Sequence, residues 1–231
     1  MSLLGCRPHP SWFQAAASGD RVLVQELVGK HQTTTDERET NAKKQRFQGF
    51  TALDYACYYG HVEIVQMLLG LELRTLTASN VLVEAPGISQ FAKYYLGRGA
   101  NALMVALLRK QKRVVMMILR FVEQQEEYAR FLVGRLTSER QSTFLVASVC
   151  KFVEAFEVLR SPTFQAEFQL HKTGDVTPVF NAALFGRPEL LRIFENYEQI
   201  DGLREDLYEM LLRRDSQGKS CIELAREDLD L

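Results

Sequence analysis

Residues 51–69 read TALDYACYYGHVEIVQMLL, and this stretch predicts two short helices separated by a tight turn. Thr51 can cap the first helix, and the carboxylate of Asp54, three residues on, can accept a hydrogen bond from the Thr51 backbone N–H. Gly60 can adopt the left-handed conformation that ends a helix. In the second half, apolar residues recur at spacings of three and four, which is typical of a helix buried on one side. Because neither helix could hide its apolar side alone, the pair requires neighbours.

The same stretch resembles the ankyrin repeat, whose hallmark is Thr-Pro-Leu-His-x-Ala followed by Gly-His-x-Glu-Ile/Val-Val-x-x-Leu-Leu. Five further segments align with it on the small residue that corresponds to Ala56, namely Ala15, Ala106, Ala147, Ala182 and Ala225. The resemblance implies an all-α fold, an ankyrin-repeat solenoid of stacked helix-turn-helix pairs with extra linker helices. We expect residues 1–231 to form a single domain, with repeat cores at about 12–28, 51–69, 101–119, 142–160, 177–195 and 220–231.

The linkers between copies are longer than in the family. Intervals between the matching alanines range from 35 to 50 residues, against about 33 for the family repeat. The surplus falls around residues 29–48, 70–98, 120–140 and 195–218, where family members form hairpin fingers. We expect short extra helices at 123–135 and 203–212 and a mobile loop at 29–46. HEAT and armadillo units have a similar period, but they need longer helices and lack the two signatures quoted above.

Composition and charge describe an ordinary globular chain. Its 231 residues are 46% hydrophobic and 25% charged, close to the average for globular proteins. The formal net charge is -1, so the chain as a whole does not attract nucleic acid or anionic lipid electrostatically. The four cysteines form no C-x-x-C pair and no histidine lies near them at zinc-ligand spacing, so we expect no metal and a reducing compartment. Four cations interrupt the middle of the apolar tract 102–122, and we therefore expect no membrane span.

Catalytic motifs are not found. The sequence has no phosphate-binding loop, kinase signature, nucleophile elbow or His-Glu-x-x-His helix, so we expect neither an enzyme nor a cofactor. The segment 97–99 is too short for a dinucleotide fingerprint and suits the turn before a first helix. The resemblance implies that His61 ties neighbouring turns by hydrogen bonds, and Cys57 is expected to pack in the core.

The resemblance also implies where a partner binds. Ankyrin arrays bind other proteins on the concave surface made by hairpin tips and by outward positions of the first helices. Carried over position by position, that surface comprises Phe50, Tyr58, Tyr59, Leu108, Arg109, Leu184 and Phe185. Tyrosine and arginine are residue types that dominate interface energetics. Alternatively, the long linkers fold over the concave side and bury these aromatics as ordinary core.

Three functions are consistent with these patterns. The first is a non-enzymatic cytoplasmic adaptor that binds other proteins, without nucleic acid, membrane span or small-molecule substrate. The second is a regulatory or targeting region of a larger signalling enzyme such as a kinase, because the sixth copy is unfinished. The third is a stand-alone enzyme with a site improvised between linkers. The cations at 109–113 indicate a nuclear-import patch, an acidic-partner patch or simply a solvated turn.

Overall fold

The computed structural model describes residues 12–31, 49–84, 93–150 and 152, together with 214, 218–220 and 223. Its elements are, in chain order, α1 (Trp12–Ser18), α2 (Arg21–His31), α3 (Ala52–Tyr59), α4 (Val62–Glu72), β1 (Val81–Glu84), β2 (Lys93–Leu96), α5 (Ala102–Leu108), α6 (Lys112–Glu123), α7 (Glu126–Gly134) and α8 (Thr143–Val149). Helices predominate in these ranges, and the two strands form one antiparallel hairpin.

The helices form pairs that stack in a row. α1 with α2, α3 with α4 and α5 with α6 each make a helix-turn-helix unit, and α8 begins a fourth. The first helices α1, α3, α5 and α8 pack on one another in that order, and the second helices α2, α4 and α6 do the same. Each pair therefore buries its apolar side against its neighbours, and the predicted solenoid of stacked pairs is confirmed.

Small residues let the first helices approach closely. Ala15, Ala56, Ala106 and Ala147, on which the first four copies align, have no exposed surface. A larger side chain would separate the helices, because a packed interior has no space to receive it. The corresponding residues of the last two predicted copies, Ala182 and Ala225, lie outside the described residues.

The helix ends follow the capping chemistry that the sequence predicts. The Thr51 hydroxyl accepts a hydrogen bond from the Asp54 backbone N–H at 3.1 Å, and the Asp54 carboxylate accepts one from the Thr51 N–H at 2.9 Å. Gly60 ends α3 in the left-handed conformation, with φ of 82°. Asn101 and Ser142 cap α5 and α8 through their side-chain oxygens. These bonds satisfy amide groups that a helix start leaves unpaired.

A buried carboxylate, which the sequence analysis did not identify, joins the first two repeats. Trp12 Nε1 donates to Glu72 Oε1 at 3.0 Å, and the Leu53 backbone N–H donates to Glu72 Oε2 at 2.7 Å. Both side chains are buried. Cys57 is buried as predicted, and burial together with the Asp54 and Glu72 carboxylates raises the pKa of its thiol well above the usual value.

The linker at 70–98 contains the β1–β2 hairpin. Val81 pairs with Leu96 and Leu82 pairs with Tyr95 across the two strands. Val81, Val83 and Leu96 are buried, while Leu82 and Tyr95 point to the other face and are exposed. This alternation follows from the period-two geometry of a strand and gives the hairpin one packed and one outer face.

The linker at 120–140 contains α7, so the helix predicted at 123–135 is confirmed. α7 packs on α6 and α8. α2 extends to residue 31, into the segment predicted as a loop. Ser220 and Glu223 exchange the two bonds of a capping box at the start of the predicted sixth core. Outside the described residues lie the rest of that loop, the core at 177–195 and the helix predicted at 203–212.

Candidate protein-binding surface

Three of the seven predicted surface residues are buried. Phe50, Tyr58 and Leu108 belong to the hydrophobic core, so the prediction that they face a partner is wrong. Tyr59 is 43% exposed, and Arg109 is partly exposed. Leu184 and Phe185 lie outside the described residues.

An aromatic cluster explains the burial of Tyr58. Its ring centroid lies 6.3 Å from that of Phe50 and 5.0 Å from that of Tyr59, the latter in an edge-to-face arrangement. The guanidinium carbon of Arg109 lies 4.3 Å from the Tyr58 centroid. A cation over the face of an aromatic ring is favourable, particularly where water is partly excluded. Tyr58 is therefore covered by side chains of its own chain.

Arg109 acts as a tether between three elements. Its Nε donates to the Tyr58 carbonyl oxygen at 3.3 Å, and its Nη1 donates to the Glu84 carbonyl oxygen at 3.2 Å. The same nitrogen lies 3.4 Å from the Glu84 carboxylate. Arg109 thus links the end of α5 to the end of α3 and to the end of β1, and most of its hydrogen-bonding capacity is used within the fold.

The hairpin covers part of the side that was predicted to be open. β1 packs on α5, and Arg109 holds the end of β1 close to the end of α3. The contact of β1 with α5 agrees, for the third repeat, with the alternative that a long linker folds over the first helices. The physical reason is the apolar inner face of the hairpin, which can only be shielded from water by packing on these helices.

Side chains form hydrogen bonds with main-chain groups at both strands of the hairpin. The Gln141 amide donates to the Tyr95 carbonyl oxygen at 2.8 Å and accepts from the Gly97 N–H at 2.9 Å. On the other strand, the Glu84 carbonyl oxygen accepts from Arg109. Such bonds oppose the addition of a further strand, because the groups that would pair with it are already in use.

The outer face of the hairpin carries two large apolar side chains. Leu82 is 38% exposed and Tyr95 is 47% exposed, and they are directly opposite in the strand register. We call Leu82 and Tyr95 the outer apolar strip. The alternating VLVE sequence at 81–84 was the available signal for this face, but it does not indicate which side is covered.

Tyr59 lies at the turn between α3 and α4. Its ring stacks on that of His61, with centroids 6.1 Å apart. His61 Nε2 lies 3.0 Å from the Ala17 carbonyl oxygen, which it reaches as a donor, so the prediction that His61 ties neighbouring turns is confirmed. The exposed ring is thus held on a rigid base, which lowers the entropy cost of ordering it in an interface.

Three exposed cations follow at the next turn. Lys110, Lys112 and Arg113 lie between the end of α5 and the first turn of α6. Gln111 Nε2 donates to the Tyr58 carbonyl oxygen at 3.2 Å, so this turn lies directly beside the turn that carries Tyr59. The turn role predicted for 97–99 is also confirmed, with Gly99 at φ of 90°.

Two ionisable side chains among the described residues, Cys57 and Tyr94, have raised pKa values. No cluster of three or more metal-ligating side chains occurs among them. Burial raises the pKa of Tyr94 to about 12, with Cys150 adding to the rise and a hydrogen bond with Gln141 opposing it. A raised pKa leaves both Tyr94 and Cys57 protonated and therefore poor nucleophiles at neutral pH. In the ranges that the structure covers, none of the helices is sufficiently long and apolar to traverse a bilayer.

Comparison with known proteins supports the repeat architecture. A family model described as ankyrin repeats (3 copies) matches residues 12–128, just over half of the chain. A chain from the solved complex of the predatory endopeptidase Bd0816 of Bdellovibrio bacteriovorus with the immunity protein Bd3460 is similar in fold. The TM-score is 0.57 and the identity 18%, and the match covers 95% of this chain and 92% of that one. The human ASB11 ankyrin repeat domain matches with a TM-score of 0.36 and 17% identity, over 92% and 90% of the two chains. No curated protein matches the sequence.

Proposed function

We propose that this chain, which belongs to the ankyrin repeat family, is a non-enzymatic adaptor. It binds a partner protein through the outer apolar strip and Tyr59. Ankyrin repeats generally mediate protein–protein interactions. The observation that carries the proposal is the exposure of Leu82 and Tyr95, side by side, on a hairpin whose other face is packed on the repeats. Large apolar side chains grouped on the surface of a soluble chain are characteristic of interaction sites.

The position of this surface differs from that predicted from the family alone. β1 packs on α5, the first helix of the third repeat, whereas Leu82 and Tyr95 on the outer face of the hairpin are exposed. Tyrosine contributes a large, rigid contact area, and its truncation at an interface hot spot costs about 2 kcal/mol or more of binding. Leu184 and Phe185, which lie outside the described residues, remain predicted members of the surface.

The proposed setting is the reducing interior of the cell. Cys57 and Cys150 are free thiols in the buried core, which is the usual state of cysteines in cytoplasmic and nuclear proteins. An adaptor role without catalysis agrees with the raised pKa of the Cys57 and Tyr94 side chains.

The test compares two surface variants in partner capture. The double variant Leu82→Ser/Tyr95→Ser removes the apolar strip on the hairpin, whereas Val22→Ser removes an apolar side chain that is 77% exposed on α2. Partners captured by the wild-type chain and identified by mass spectrometry should lose affinity by about tenfold or more for the first variant and keep it for the second. Both variants should retain the wild-type melting temperature. Equal capture by all three proteins would refute the proposed surface.

A further inference from the structure

Asn80, Arg98 and Ser138 join the base of the hairpin to the turn between α7 and α8. The Ser138 backbone N–H donates to the Arg98 carbonyl oxygen at 2.8 Å, and the Ser138 hydroxyl donates to Asn80 Oδ1 at 3.3 Å. Asn80 Oδ1 also accepts from the Arg98 backbone N–H at 2.6 Å. Because Asn80 precedes β1 and Arg98 follows β2, these bonds attach both ends of the hairpin to the turn. We call these three residues the hairpin joint.

The hairpin joint requires Ser138 to act as a hydrogen-bond donor. A backbone N–H can only donate, so the bond from Arg98 fixes the oxygen of the Asn80 amide, and not its NH2 group, towards the joint. The Ser138 hydroxyl can reach that oxygen only as a donor. The joint is also tightly packed, since a Cβ placed on Gly97 would lie 2.8 Å from Ser138 Oγ. A group that removes this donor or adds volume at Ser138 is therefore incompatible with the joint.

Ser138 is accessible, and arginines flank it. It is exposed in the turn, with exposed Arg135 three residues before it and exposed Arg140 two residues after it. The Arg135 guanidinium carbon lies 5.4 Å from the centroid of the Phe131 ring, a contact that leaves the side chain exposed. Glu139 is the single acidic residue between the two arginines. Kinases select substrates partly by such charge patterns, so this segment suits a kinase with an acidic substrate groove.

The other hydroxyl side chains of this segment are inaccessible. Between residues 135 and 143, the buried hydroxyl residues are Thr137, Ser142 and Thr143. Ser142 caps α8, and the Thr143 hydroxyl donates to the Leu132 carbonyl oxygen at 2.8 Å. Transfer of a group to any of these three would require the fold to open first. Ser138 is therefore the hydroxyl that an enzyme can reach in this segment of the folded chain.

We propose that a protein kinase of this kind phosphorylates Ser138 and that the phosphoryl group opens the hairpin joint. In the transfer, Ser138 Oγ forms a bond to the γ-phosphorus of ATP, the bond from that phosphorus to the β–γ bridging oxygen breaks, and ADP leaves. The hydroxyl proton passes to the base of the kinase. The proposal rests on the proposed function and adds its regulation, because the hairpin carries the outer apolar strip.

Phosphorylation would reverse the hydrogen-bonding character of Ser138. A phosphoryl group carries a charge of about −1.5 to −2 at neutral pH and presents acceptor oxygens. These oxygens would face the Asn80 Oδ1 acceptor, and the bulk of the group would meet the backbone at Gly97. Both repulsions displace the turn from Asn80 and Arg98. Leu82 and Tyr95 then lie on a less ordered hairpin, so that binding a partner costs more conformational entropy.

The first test determines whether the folded chain is modified at Ser138. The substrate is the variant Ser216→Ala, which removes a second serine that follows arginines and lies outside the described residues. It is incubated with ATP and a set of purified arginine-directed serine kinases, and peptide mass spectrometry locates the phosphate. At least one kinase should modify Ser138, and Arg135→Gln should lower the initial rate roughly tenfold. Absence of phosphate at Ser138 with every kinase, or an unchanged rate for Arg135→Gln, would overturn the proposal.

The second test measures hydrogen exchange at the Arg98 and Ser138 amides, which donate within the joint. In the Ser216→Ala background, phosphorylation should accelerate their exchange roughly tenfold or more. Asn80→Ala removes the acceptor that the phosphate would face, so phosphorylation should cause a smaller acceleration there. Gly97→Ala is the matched control, because it crowds Ser138 without adding charge and should accelerate exchange without phosphate. Unchanged exchange on phosphorylation, or an equal acceleration in Asn80→Ala, would contradict the opening of the joint.

Partner capture separates this inference from the proposed function. The phosphorylated chain should hold captured partners roughly tenfold more weakly, whereas Ser138→Ala treated with the same kinase should keep them. If Leu82→Ser/Tyr95→Ser abolishes capture while phosphorylation changes neither capture nor exchange, the adaptor proposal stands and the regulatory inference fails. If the strip variant leaves capture unchanged while phosphorylation still accelerates exchange, the proposed binding surface fails and the phosphorylation of the joint stands.

Discussion

Replacing the buried Glu72 by glutamine should detach the first repeat from the second. In the wild-type chain the two carboxylate oxygens accept hydrogen bonds from the Trp12 indole and the Leu53 backbone N–H. An amide has only one acceptor oxygen, so one of the two buried donors would face the NH2 group instead. Leaving a buried donor unsatisfied costs about 1–3 kcal/mol, and a bond to a charged acceptor is also lost. We expect the free energy of unfolding to fall by about 2 kcal/mol or more.

The measurement can use the single tryptophan of the chain. Because Trp12 is itself the donor to Glu72, its fluorescence reports on the joint between the two repeats, whereas circular dichroism follows all helices. In urea, Glu72→Gln should lower both midpoints and shift the fluorescence transition to lower urea than the circular dichroism transition. Repeat proteins allow this separation because each unit is stabilised by its neighbours alone.

The matched control is Glu63→Gln. Glu63 also pairs with a first-repeat residue, Arg21 at 3.0 Å, but its side chain is 66% exposed. An exposed pair of this kind contributes about 1 kcal/mol or less. If Glu72→Gln destabilises the protein no more than Glu63→Gln does, or if the emission of Trp12 is unchanged, the carboxylate is not the joint described above.

Three further substitutions test the geometry of the repeats. Lys110→Gly should stabilise the fold by about 1 kcal/mol in urea unfolding, because glycine tolerates the positive φ, whereas Lys112→Gly, inside α6, should destabilise it. Ala106→Phe should lower stability by about 1–3 kcal/mol, and an unchanged melting midpoint would contradict the close packing of first helices. The free energy of unfolding of the wild-type protein should fall by up to about 2 kcal/mol as the pH rises from 10 to 12. Tyr94→Phe should lack this fall. The sign follows because burial raises the pKa of Tyr94 to about 12 in the folded state, so the unfolded chain releases its proton first. If the free energies of unfolding of the wild type and of Tyr94→Phe change in parallel with pH, the raised pKa of Tyr94 is contradicted.

Local patterns were sufficient to predict the repeats and their ends. The capping box at Thr51 and Asp54 and the left-handed Gly60 were predicted from residue type and spacing, and the hydrogen bond of His61 to the preceding turn was implied by the family resemblance. The structure confirms all three. These features depend on residues close in sequence or on a contact between successive turns, as in His61 with Ala17 and Gln111 with Tyr58. A single sequence is informative about them for that reason.

The candidate surface could be predicted only in part. Tyr59 is exposed as predicted, but Tyr58, one residue away, lies beneath the Arg109 guanidinium. Phe50 and Leu108 are likewise buried, and the apolar strip of Leu82 and Tyr95 was not identified. The difference arises because an aromatic cluster, the Arg109 guanidinium and the hairpin cover these residues, and the family pattern specifies none of these contacts.

The sequence by itself therefore determined that helices pair and stack. The apolar side of each helix pair needs a neighbour, and the same motif recurs several times along the chain. Only the tertiary structure decided which side chains are exposed to solvent. Burial of a surface residue depends on where a non-repeating segment lies, and that is set by long-range contacts such as Arg109 with Glu84 and Gln141 with Tyr95. Such contacts occur once and have no period, so they leave no pattern that a reading of the chain could recognise.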